Sequence, residues 1–185
     1  MANDWSNRVK ITGPADVIHE IRRRLNSPGA DGDAPTIFSL KKIVPETKSV
    51  KESIKDPDNF WPKYLRKYEN APSASQPFWY IWRYAKWGTK WDTYDSHEEA
   101  YEPGGREWIV WFDTANGCPD EALKVLARTF PTITIRHWYS DLPNMVGGYN
   151  TYKYDSDTKQ VVFEHLSKNE NMRWIRRVQD RMIGF

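Results

Sequence analysis

Alternation of apolar and polar residues, followed in two places by a helical pattern, constrains the fold of this chain more than any other feature. Residues 5–13 (WSNRVKITG) alternate with a period of two, which predicts a half-buried strand. Residues 132–141 (TITIRHWYSD) alternate in the same way, and residues 106–114 (REWIVWFDT) also have strong strand patterning. In the first strand the predicted inward residues are Trp5, Asn7, Val9 and Ile11, and the outward ones are Arg8, Lys10 and Thr12.

Two amphipathic helices separate these strands. The first is predicted over 14–26, because Pro14 suits the first helical position and an apolar stripe follows at helical spacing. The second is predicted over 119–130 and is stopped by Pro131. The stripes consist of Val17, Ile18, Ile21 and Leu25 in the first helix and of Leu123, Leu126, Ala127 and Phe130 in the second. Both stripes need apolar sheet surface, so we expect both helices on one face of the sheet.

A further strand is predicted over 36–45 (TIFSLKKIVP), closed by Pro45. The order strand, helix, strand, insertion, strand, helix, strand predicts an α+β protein with the ferredoxin-like split βαβ arrangement and a four-stranded antiparallel sheet. A chain of 185 residues suits a single domain with one core. The predicted parts are a ferredoxin-like core at 3–45 and 106–141, an aromatic-rich insertion at 46–105, and a C-terminal hairpin and basic helix at 149–185.

The insertion contains the WGTKWD segment at 87–92, which is the best candidate for a small binding site. Its indole rings offer walls, and its polar side chains offer hydrogen-bond donors and an acceptor at fixed spacing. The candidate residues are Trp87, Thr89, Lys90, Trp91 and Asp92. The chain has 10 Trp residues, however, and large aromatic side chains are usually buried. We therefore favour a structural role, in which Gly88 caps a helix and Trp82, Trp87 and Trp91 are buried against the sheet.

The sheet face opposite the two helices, the open face, is a second candidate site. The strand patterns place Arg8, Lys10, Arg136 and Trp138 on it. Basic and aromatic side chains on such a face bind single-stranded nucleic acid in RNA-recognition domains. The insertion also needs apolar surface on which to bury its aromatic residues, so we expect it to cover this face.

The predicted C-terminal helix is a third candidate. Its inward row is Ile175, Val178 and Met182, and its arginines are Arg173, Arg176, Arg177 and Arg181. Like charges so close together weaken an isolated helix. They suggest an acidic protein surface or a phosphate backbone as a partner, although a charge run is more often a solvated face.

Several classes of function are not supported by the sequence. No apolar run of about 18 residues and no secretion signal is present, so we expect a cytoplasmic protein that does not enter a membrane. Cys118 is the single cysteine, and the four histidines are scattered without metal-ligand spacing, so we expect no metal and no cofactor. A net charge of +2 does not by itself indicate a nucleic-acid-binding protein.

Four strings together resemble the YubB-like ferredoxin-like domain family of bacteriophages and conjugative plasmids. They are WSNRVKITGPADV near the start, WGTKWD at 87–92, WFDTA at 111–115 and MVGGY at 145–149. The resemblance runs from about residue 3 to about residue 154, and it departs from the family after residue 115, where NGCP stands in place of a Trp-Pro turn. It implies a ferredoxin-like fold, a bacterial cytoplasm, and a role in establishment, replication or counter-defence.

Three functions follow as hypotheses. The first is a phage or plasmid accessory protein that binds or inhibits a host protein or protein complex, as an anti-CRISPR protein does, with aromatic and arginine side chains as anchors. The second is a nucleic-acid-binding protein that uses basic and aromatic surface. The third is a small-molecule enzyme or ligand-binding protein at WGTKWD. The sequence favours binding over catalysis.

Overall fold

A computed structural model describes residues 3–26, 35–56, 77–141, 143–144 and 146–167. The predicted C-terminal helix, with Arg173, Arg176, Arg177 and Arg181, lies outside these residues. The elements are β1 (Asp4–Thr12), α1 (Ala15–Leu25), α2 (Leu40–Ile43), α3 (Lys48–Lys55), α4 (Phe78–Trp87), β2 (Tyr94–Tyr101), β3 (Glu107–Ala115), α5 (Asp120–Thr129), β4 (Thr134–Asp141), β5 (Val146–Asp155) and β6 (Gln160–Ser167). No helix among the described residues is long and apolar enough to cross a membrane.

The strands form one six-stranded antiparallel sheet in the order β2-β3-β1-β4-β5-β6. Its first four strands, with α1 and α5 as crossovers, have the predicted ferredoxin-like topology. The predicted C-terminal hairpin is also present. It is formed by β5 and β6, which extend the sheet beyond four strands.

The prediction for the second core strand is wrong. Residues 36–45 contain the short helix α2, whereas the strand beside β3 is β2, which the sequence analysis placed inside the insertion. Phe38 and Leu40 are buried, but Asp92 holds the segment in a turn by accepting hydrogen bonds from the Leu40 backbone at 2.6 Å and the Ser39 hydroxyl at 2.8 Å. β2 itself reads YDSHEEAY and lacks an apolar alternation because it is a polar edge strand.

The core lies between one face of the sheet and the helices. Ile18 and Ile21 of α1 and Leu126 of α5 join a single buried cluster with Val9 and Val110 of the sheet. Both helices therefore share one sheet face, as predicted. α4 adds Trp87 to the same cluster and packs beside α3 and α5.

The aromatic helix of the insertion, α4, consequently packs on the helix-bearing side, which corrects the expectation that the aromatic residues of the insertion would cover the open face. The expected burial of its tryptophans is right only in part. Trp87 is fully buried and Trp82 is partly buried against it, with ring centroids 5.8 Å apart. Trp91 is 40% exposed, because the left-handed Gly88 (φ 88°) turns the chain out of α4 and Lys90 then binds the Ala115 carbonyl through its backbone.

Candidate binding surface

A row of side chains crosses five strands on the open face. Strand pairing places Arg8 opposite both Trp111 and Trp138, which in turn lie opposite His97 and Tyr149. The His97 ring stacks on Trp111 with a 6° interplanar angle, and Trp138 and Tyr149 have centroids 5.0 Å apart. We call these five residues the cross-strand row. Arg8 and Trp138, which the sequence predicted to lie on the open face, both belong to the cross-strand row.

Arg8 lies at the centre of the row and is held by several contacts. Its guanidinium donates two hydrogen bonds to Glu99, at 2.7 and 2.6 Å, and its Cζ lies 5.1 Å from the centre of the Trp138 ring. Glu99 also accepts a hydrogen bond from the Trp111 indole. The bonds from Arg8 lower the pKa of Glu99, although burial opposes them, so the pair remains ionic at neutral pH. These contacts fix the orientation of the rings.

The remaining charges on the open face are partly compensated. Lys10 forms an ion pair with Glu107. Arg136, which lies opposite Lys10 in the strand register, is exposed and has no ion pair within the described ranges. Lys153, which lies opposite Thr134 in the register, is likewise exposed and has no ion pair among the described residues. Arg136 and Lys153 are therefore the cations on this face that are available to a partner.

The WGTKWD segment uses most of its polar groups inside the protein. The Trp87 indole donates to the Val44 carbonyl at 2.9 Å, and the Thr89 hydroxyl donates to the Ala115 carbonyl at 2.7 Å. Asp92 accepts the two bonds that hold α2, as described above. Lys90 and Trp91 remain at the surface, where the Lys90 ammonium lies 4.8 Å from the centre of a Trp91 ring.

The sequence does not predict the buried ion pair behind this segment. Arg83 of α4 donates to Glu46 at 2.8 Å, and both side chains are only 7% exposed. Three indole rings surround the guanidinium, those of Trp79, Trp87 and Trp91, with centroids 4.9–5.5 Å from its Cζ. Trp79, Arg83 and Trp87 are four residues apart in the sequence, so helical spacing brings them together. The sequence contains no pattern that predicts Glu46 as the ion-pair partner of Arg83.

A chain of buried polar side chains on the helix-bearing face was also not predicted. The amide nitrogen of the fully buried Asn7 donates to the Trp5 carbonyl at 2.7 Å and to Thr114 Oγ1 at 2.9 Å. Its amide oxygen is therefore the acceptor for Nε2 of His137, at 2.9 Å. This arrangement places a proton on Nε2 of His137.

The chain continues to Asp120, the first residue of α5. Oδ1 of Asp120 accepts the Tyr152 hydroxyl and the Asn150 amide, and Nδ1 of His137 lies 3.6 Å away. Burial alone would raise the pKa of Asp120, but the interactions with His137, Tyr152 and Asn150 outweigh it and leave the pKa lowered. Asp120 is therefore a carboxylate at neutral pH.

These groups do not activate the neighbouring cysteine. Burial, together with the charges of Asp120 and Asp141, raises the pKa of Cys118 well above its usual value. A nucleophilic cysteine needs the opposite shift. The network is thus better suited to holding Asp120 in place than to covalent chemistry.

Comparisons with known proteins concern the fold. Residues 86–177 match a family model described as "Ferredoxin-like domain in Api92-like protein". The crystal structure of a protein Api92 from Yersinia pseudotuberculosis matches 92% of this chain and 100% of that chain, with a TM-score of 0.52 and 11% sequence identity. No curated protein matches the sequence. The chain therefore contains a ferredoxin-like domain. Structural similarity at 11% sequence identity is evidence for the fold only.

Proposed function

We propose that this protein is a binding module that recognises a protein of a bacterial host through its open face. The observation that carries the proposal is the cross-strand row, because it concentrates Trp, Tyr and Arg on one surface. These residue types supply most of the strongest anchors in protein interfaces. The contacts between Arg8, Glu99 and the two tryptophans hold the anchors in one geometry, which reduces the entropy lost on binding.

The charges of the open face favour a protein partner over nucleic acid. Binding to a phosphate backbone depends on unpaired cations. Arg8 and Lys10 are already paired with Glu99 and Glu107, and those carboxylates would repel phosphates. A partner that brings carboxylates to Arg136 and Lys153 and apolar groups to the rings fits this surface better.

The biological setting is part of the same proposal. The four strings that resemble the YubB-like family support a phage or plasmid accessory protein. Such a protein would act by occupying a host protein or complex, with counter-defence as the role. A small-molecule site at WGTKWD has less support, because Trp87, Thr89 and Asp92 use their polar groups internally.

The experiment compares two charge reversals on opposite faces. The tagged full chain, its Arg136→Glu variant and its Arg128→Glu variant are used to capture partners from nuclease-treated bacterial lysate. Both arginines are exposed, and Arg128 lies on α5 at the helix-bearing face. We expect Arg136→Glu to reduce capture at least about tenfold, since like charges across an interface cost several kcal/mol. Arg128→Glu should capture as well as the wild type.

Equal capture by all three proteins would refute the assignment of the open face. Titration of a labelled single-stranded RNA of about 20 nucleotides tests the second hypothesis. Tight binding that falls steeply with salt, with no nuclease-resistant partner, would replace the protein partner with nucleic acid.

A further inference from the structure

A cleft of about 450 Å³ opens on the helix-bearing side, where α4 ends and α5 begins. Its walls include Trp5, Cys118, Asp120 and Tyr139. The Trp5 and Tyr139 rings stack, with centroids 5.7 Å apart and a 28° interplanar angle. Gly88 forms part of the rim, and its left-handed conformation packs it against the Cys118 carbonyl so closely that a Cβ would overlap. The cleft is therefore separate from the open face and built from fixed elements.

Tyr139 is the first indication that the cleft receives a ligand. The residue is 95% buried, since only 5% of its surface is exposed, yet its hydroxyl has no hydrogen-bond partner among the described residues. The fold makes room for this hydroxyl, because a Cβ on Gly148 would overlap it. Tyr139 lines the cleft, so its hydroxyl is a donor and acceptor with which a polar group bound there would form a hydrogen bond.

Asp120 is the second indication. All of its hydrogen bonds within the described ranges are made by Oδ1, so Oδ2 has none, and the side chain is 31% exposed. The neighbouring Glu121 is paired with Lys124 at 2.8 Å, and Nδ1 of His137 lies 3.6 Å from Oδ1 on the interior side. Asp120 therefore presents a free carboxylate oxygen to the cleft.

We propose that this cleft binds a guanidinium group, with Asp120 Oδ2 and the Tyr139 hydroxyl as acceptors and Trp5 as the stacking surface. A guanidinium is planar, donates hydrogen bonds in a fixed fork and stacks on aromatic faces. A primary ammonium lacks the planar fork, and a neutral urea lacks the charge. The group is carried either by a free guanidine compound or by an arginine of a polypeptide.

Nuclear magnetic resonance titrations of the ¹⁵N-labelled full chain test this proposal. The probes are N-acetyl-L-arginine amide, its neutral citrulline analogue and its lysine analogue. We expect the arginine probe to bind with a dissociation constant of about 1 mM and to shift the Trp5 indole signal. The citrulline and lysine probes should bind at least about fivefold more weakly. Agmatine distinguishes the two sources of the guanidinium group. If agmatine binds more tightly than the arginine probe, the ligand is a free guanidine compound; if it binds more weakly, the ligand is an arginine of a polypeptide.

Two matched variants locate the site. Tyr139→Phe removes a hydroxyl that bonds to no described residue, so it should fold normally and weaken binding about two- to tenfold. Tyr149→Phe makes the same change on the open face and should leave the affinity unchanged. The proposal fails if the citrulline or lysine probe binds as well as arginine, if Tyr139→Phe binds like the wild type, or if the shifts map away from Trp5. None of these results depends on the open face.

Discussion

Trp87 and Trp91 lie four residues apart in one segment, and replacing each in turn tests the packing of the insertion. Trp87 is fully buried and donates a hydrogen bond to the Val44 carbonyl. Trp91 is 40% exposed and stacks on Trp79 with centroids 5.1 Å apart. Their sequence neighbourhoods are similar, so any difference between the two substitutions arises from tertiary structure.

The expected costs of the two substitutions differ by about twofold to fourfold. A large aromatic side chain buries about 150–250 Å², which at about 25 cal/mol per Å² gives roughly 4–6 kcal/mol for Trp87→Ala. This figure is an upper bound, and measured Trp→Ala costs in cores are about 3–5 kcal/mol, so we expect about 4 kcal/mol. Trp91→Ala should cost about 1–2 kcal/mol, because it removes a stacking contact and partly exposed area, and solvent fills the space.

Equilibrium urea denaturation, followed by far-ultraviolet circular dichroism, measures both costs. Trp87→Phe is the intermediate variant, and it should cost about 1–2 kcal/mol because it keeps a ring but loses the bond to Val44. Equal costs for Trp87→Ala and Trp91→Ala would refute the reasoning, as would a cost below about 2 kcal/mol for Trp87→Ala.

Two further predictions concern ion pairs. Glu46→Gln should destabilise the protein by about 3–5 kcal/mol in the same assay, because it leaves Arg83 charged and buried; a near-neutral result would mean that the guanidinium is solvated. Glu99→Gln should cost about 1 kcal/mol at pH 7, discounted because Glu99 is 32% exposed. Bonding to Arg8 lowers the folded-state pKa of Glu99 below the usual 4.5, so this stabilisation is complete above that pH and declines as pH falls through the lower value. A cost that stays constant down to pH 2 would contradict the assignment.

The alternation of the strands accounts for the part of the open face that could be predicted. A period of two puts Arg8 and Trp138 on the face opposite Val9 and Ile135 wherever the strands are paired. The same rule could have placed Trp111 among the predicted residues of the open face, because in β3 it lies opposite Arg8. Glu99 could not be found in this way, because β2 is a polar edge strand whose register with β3 shifts twice.

The sequence by itself determined the places of β1, β3, β4, α1 and α5 and the two faces of the central strands, because these follow from local periodicity and from the need to bury apolar stripes. It did not determine the place of β2, whose polar sequence lacks that periodicity. Only the tertiary structure decided which polar groups meet. Asn7 and His137 are 130 residues apart, and Arg83 and Glu46 are 37 apart. A contact between residues so far apart in the sequence depends on how whole helices and strands are placed relative to one another. A single polar residue has no periodic pattern from which that placement can be predicted. The different burial of Trp87 and Trp91 has the same cause. The sequence predicts the helix cap at Gly88, but it does not predict that the Lys90 backbone then bonds to Ala115 and leaves Trp91 at the surface.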